Sequence, residues 1–62
     1  GPYSFALIVD PMDLASAWVR ELAENLAPLG IQARALAADE RLDLALRVEA
    51  FDGAVIACTG QR

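Results

Sequence analysis

Two places in this chain fall where α/β proteins carry reactive groups. Asp10 directly follows the apolar run Phe5-Ala6-Leu7-Ile8-Val9, and Ala57-Cys58 closes the apolar run Ala54-Val55-Ile56. Carboxylates at two such strand ends would make a phosphoryl-transfer centre, one as nucleophile and the others holding Mg²⁺. Asp10 supplies a single carboxylate, Pro11 comes next, and the other end offers Ala57 and a thiol. Hard Mg²⁺ takes several oxygen ligands, so Asp10 alone is a poor metal site, and no metal is expected. Cys58 needs a base to become a nucleophile, and the chain has no histidine. The expectation for Cys58 is a small buried hydrophobe. Asp10-Pro11-Met12-Asp13 contains no glycine, so the first run leads into no phosphate-cradling loop. Asp52 precedes Gly53, at the wrong end of a third strand to stand in for Ala57. These residues predict no enzyme, no catalytic residue and no cofactor.

The elements that must position them fit in one small domain. A 62-residue chain buries only about 60% of its unfolded surface. Domains below roughly 70–80 residues usually add a disulfide, a metal or a partner subunit. One cysteine and no histidine leave neither an internal disulfide nor a zinc site. Association, or membership of a larger protein, is the remaining stabiliser. Apolar content of 56% argues against disorder. No apolar run approaches the ~20 residues of a membrane helix, and nothing resembles a signal peptide. A cytoplasmic setting suits the lone thiol. Nine acids against five arginines give net charge −4 with no basic stripe, so neither nucleic acid nor membrane is an expected partner. Gly1-Pro2 reads as the remnant of a cleaved expression tag, leaving residues 3–62 as a single half-domain.

Tyr3 to Val9 is apolar on both faces, the pattern of a central parallel strand. Asp10 is the expected cap of a helix, with Pro11 in the first helical position. The periodicity predicts this first helix from Met12 to about Ala27 or Leu29. Its apolar arc, which includes Met12, Leu14, Trp18, Leu22, Leu26 and Leu29, is wider than one sheet face needs. Trp18 reads as core or as an interface anchor. Pro28-Leu29-Gly30 ends the helix. Ile31 to Ala37 alternates with Gln32 and Arg34, as a half-wet edge strand does. Asp39 is the expected cap of a second helix over about Glu40–Ala50. Leu42, Ala45, Leu46 and Glu49 line one side of it, and Leu44 and Val48 widen the apolar surface. Asp52-Gly53 turns into a third strand, Ala54–Cys58, and Thr59 to Arg62 form a polar tail. The order is β-α-β-α-β. Right-handed crossovers give an α/β fold, a three-stranded parallel sheet of order 2-1-3 with helices on both faces, half of a flavodoxin-like sheet.

Ala6-Leu7-Ile8-Val9-Asp10, Leu26-Ala27-Pro28-Leu29-Gly30, Ala37-Ala38-Asp39 and Phe51-Asp52-Gly53-Ala54-Val55-Ile56 together resemble the N-terminal half of a response-regulator receiver domain. The resemblance implies an acidic pair after the first strand holding Mg²⁺, and a phosphoacceptor aspartate at the end of the third. Asp10 matches the first acid, Pro11 replaces the second, and Ala57 replaces the phosphoacceptor, with Cys58 there after a one-residue slip. The Thr or Ser and the Lys of the family's fourth and fifth strands have no counterpart. The resemblance therefore implies a degenerate, truncated receiver, a pseudo-receiver of bacterial two-component signalling without a phosphorylation switch.

The expected function is a self-associating interaction module, a homodimer that oligomerises or localises a larger regulatory protein. The third strand would pair with its twofold mate. Trp18, Val55, Ala57, Cys58, Leu44 and Val48 are the candidate interface residues. The alternative is an N-terminal fragment of a full receiver-like domain, with Asp10 near a ligand or metal site. An enzyme or cofactor-binding half-domain is the weakest reading, because no acid–base pair converges.

Overall fold

Residues 1–59 are described in the computed structural model. Gly60, Gln61 and Arg62, the end of the expected polar tail, lie outside the described residues. The doubly apolar run forms β1 (Tyr3–Val9), flanked by β2 (Ile31–Ala37) and β3 (Gly53–Ile56). All pairing is parallel, in the order β2-β1-β3. Tyr3 to Val9 pair with Ile31 to Ala37, and Phe5 to Ile8 pair with Gly53 to Ile56. The expected α/β sheet is present, its central strand supplying the buried Ala6, Leu7 and Val9.

Strand alternation sorts the two faces. Phe5, Leu7 and Val55 share one face with Leu22 and Leu26 of the first helix, α1 (Ala17–Leu26). The other face carries Ala6, Ile8, Leu36, Ala54 and Ile56, and is crossed by the second helix, α2 (Leu42–Val48). Arg34 of β2 forms an ion pair with Glu49, just beyond α2, which ties that helix to the same face. The half-wet reading of β2 holds for exposed Gln32 and Arg34, yet Leu36 on that side is only 8% exposed.

The first helix departs from expectation. In place of one helix from Met12, a 3-10 turn spans Pro11–Asp13, α1 runs Ala17–Leu26, and a second 3-10 turn spans Ala27–Leu29. The break is at Ser16, whose extended backbone (φ −72°, ψ 147°) starts a new helix. Its N–H is held by the Asp13 carbonyl at 2.9 Å. Asp10 is a cap, as expected, but of the 3-10 turn: its Oδ1 accepts the Met12 N–H at 2.9 Å. Met12, Leu14 and Leu29 consequently lie off α1, and the single wide apolar arc does not exist.

The second helix is shorter than Glu40–Ala50. Asp39 Oδ1 accepts the Arg41 N–H at 2.9 Å, so the cap closes a turn ahead of Leu42. Leu42, Ala45, Leu46 and Glu49 are half-buried, as their spacing predicted. The third strand begins and ends early. It is Gly53–Ile56 rather than Ala54–Cys58, although the Ala57 N–H still reaches the Ile8 carbonyl at 2.9 Å.

Two joints hold the sheet in register. Gly30 (φ 83°) reverses the chain into β2 in the left-handed region, and its carbonyl accepts the Tyr3 N–H at 2.9 Å. At the start of β3, Asp52 grips Ser4 twice: its carboxylate accepts the Ser4 N–H at 2.7 Å, and its own N–H donates to the Ser4 carbonyl at 2.7 Å. Position 53 is glycine because a Cβ there would come within 2.7 Å of the Phe5 ring.

Two substitutions test these joints at fixed protein concentration. Gly30→Ala forces a left-handed alanine and lowers the unfolding free energy by about 1 kcal/mol in a urea titration. Asp52→Ala removes the carboxylate acceptor of an exposed backbone N–H and costs about 1 kcal/mol by the same measurement. Amide exchange at Ser4 rises in the second variant and not in the first.

Candidate functional site

The groups that would do chemistry do not converge. Asp10 sits at the C-terminal end of β1 with its carboxylate engaged by its own turn. Asp52 sits at the opposite end of the sheet, engaged by Ser4. Six residue steps separate Ser4 from Asp10, about 20 Å of strand. Among the described residues no three His, Cys, Asp or Glu side chains gather where a metal ion could be held. Ala57 and Cys58 lie just past β3 at the C-terminal end of the sheet, where a phosphoacceptor would be. Cys58 is exposed, which corrects the buried-hydrophobe reading: β3 ends two residues earlier, at Ile56.

The feature that does assemble is an uncovered apolar strip along β3. Both helices pack more closely on β2 than on β3. After Gly53, every residue of β3 is exposed: Ala54, Val55 at 47% and Ile56 at 84%. On the α1 side an apolar groove of about 300 Å³ opens beside the helix, lined by Phe5, Leu7, Leu22, Leu26, Ile31 and Val55. No polar atom contributes to its surface. Water there has no hydrogen-bonding partner, so removing this surface from solvent is favourable at about 25 cal/mol per Å².

The six candidate interface residues divide by position. Val55, Ala57 and Cys58 lie together along β3 and its exit, and Trp18 of α1 lies on the same side of the sheet as Val55 and Ala57. Leu44 and Val48 lie on α2, across the sheet, at 65% and 78% exposed. The structure does not join those two to the others in one patch. Trp18 and Ala57 are half-buried. Sequence reasoning passed over Ile56, the more exposed of the two large apolar residues of β3. Its signal was present in position alone, one step beyond Val55 on the strand expected to pair with its twofold mate.

β2 also has a free edge, but of a different character. It carries Gln32 and Arg34, both exposed, and the Arg34–Glu49 pair stands on it. Charged side chains on an edge strand discourage pairing with another chain, whereas β3 has no such guard. No helix among the described residues is long and apolar enough to cross a membrane.

No family model, curated protein or solved structure matches this chain. The resemblance to receiver domains therefore rests on the residues that carry it, and the α/β sheet of order 2-1-3 stands on the structure.

Proposed function

We propose that the chain is a non-catalytic, receiver-like interaction module that self-associates as a homodimer. In this reading it oligomerises or localises a larger bacterial signalling protein in the cytoplasm, with no aspartate phosphorylation switch. The observation that carries the reading is the unguarded apolar strip on β3, Val55 and Ile56 above all.

The positions of Asp10 and Ala57 support the absence of a switch. A receiver site needs its carboxylates to converge on one Mg²⁺. Here no cluster of carboxylates that could hold a metal gathers around Asp10 among the described residues, and Ala57 has no nucleophile to offer.

Sedimentation equilibrium at micromolar concentration checks the reading, with a dimer expected. Ile56→Lys puts a charge on the strip and shifts the dissociation constant upward at least tenfold. A wild-type chain that stays monomeric at these concentrations would sink the homodimer and favour the fragment reading, in which other strands of the same protein cover β3. Incubation with acetyl phosphate and Mg²⁺ leaves the intact mass unchanged. A phosphorylated species lost in Asp10→Asn would restore the switch.

A further inference from the structure

The hydrogen-bonding parity of β3 selects one register for self-association, and this inference rests on the homodimer reading above. The Ala57 N–H points inward, to the Ile8 carbonyl. Backbone groups alternate along a strand, so Val55 also points inward, while Ala54 and Ile56 turn their N–H and C=O to the free edge. β3 spans only Gly53–Ile56, so these two residues hold all of its outward groups.

We infer that two copies pair β3 against β3 in antiparallel fashion, with the twofold axis at Val55. In this register Ala54 faces Ile56 of the mate and Ile56 faces Ala54. Each facing pair exchanges two backbone hydrogen bonds, and every outward group of the strand is satisfied. An axis at Ile56 would set Ala54 against Cys58, beyond the strand. An axis at Ala54 would set Ile56 against Asp52, whose N–H and carboxylate are already engaged by Ser4.

Side chains favour the same axis. On the α2 side, the large exposed Ile56 lies beside the small Ala54 of the mate, so the pairing is large against small. On the α1 side, the two Val55 side chains meet at the axis. Val55 lines the apolar groove, so the two grooves join across the seam. Asp52 and its mate stand about 20 Å apart, beyond the ~8–10 Å screening length, so these two carboxylates do not oppose the seam. A continuous six-stranded sheet results, with order β2-β1-β3-β3-β1-β2.

Cysteine cross-linking reads the register directly. Val55 and its mate form a non-hydrogen-bonded pair with Cα atoms about 4.5 Å apart, within disulfide reach. Native Cys58 and its mate lie about 20 Å apart, out of reach. Val55→Cys in a Cys58→Ser background, oxidised with copper–phenanthroline, is expected to run mostly as a covalent dimer, while the wild-type chain does not. A dimer by sedimentation that cross-links through Cys58, or through neither position, overturns the register and leaves the homodimer reading standing. A monomer by sedimentation overturns both. Isotope-filtered NOE spectra of a mixed-label wild-type sample provide the same test without substitution. A close α-proton contact between Val55 and its own mate is expected, as in any non-hydrogen-bonded antiparallel pair, and a dimer that lacks it would overturn the axis.

Discussion

The structure depends on a mismatch of widths. Three parallel strands span about 14 Å, and a helix with its side chains is about 10 Å across. One helix per face therefore leaves about one strand bare on each side. Both helices lean toward β2, so the bare strand is the same on both faces. Val55 is exposed on the α1 side and Ile56 on the α2 side for this single reason. The small core has the same origin: Ala6, Leu7, Val9, Val19 and Leu36 are its buried hydrophobic residues, three of them on β1.

Within that constraint β1 is the organising strand. Among the described residues it is the only strand paired on both edges, and its two faces meet different helices. The joints that hold it are backbone joints. Gly30 delivers the chain to β2 and bonds Tyr3, and Asp52 delivers it to β3 and bonds Ser4. Gly53 allows the Phe5 ring to lie against β3. The acids at the two ends of the sheet take part in the architecture. Asp10 caps a turn through Oδ1, and Asp52 anchors a strand through one carboxylate oxygen.

Much of the fold was legible because its signals are local. The doubly apolar Phe5–Val9 run announced a covered strand, and the alternation around Gln32 and Arg34 announced an edge. The 3.6-residue spacing of Leu42, Ala45, Leu46 and Glu49 announced a helix face, and Pro28 and Gly30 marked a stop. The break at Ser16 was not legible. Leu14 and Ala15 suit a helix, and Asp10-Pro11 is a good helix start, yet that start was used for a 3-10 turn. The burial of Cys58 was misjudged for a related reason. A small apolar neighbourhood in sequence says nothing about whether a helix passes overhead.

The sequence by itself determined the kinds of element and their order, because these depend on residue type and short-range periodicity. Only the tertiary structure decided which strand is left bare and that Ile56, at 84% exposed, stands out on it. Those outcomes depend on how two crossing helices distribute their width over three strands. That distribution joins residues far apart in the chain, and no local pattern encodes it.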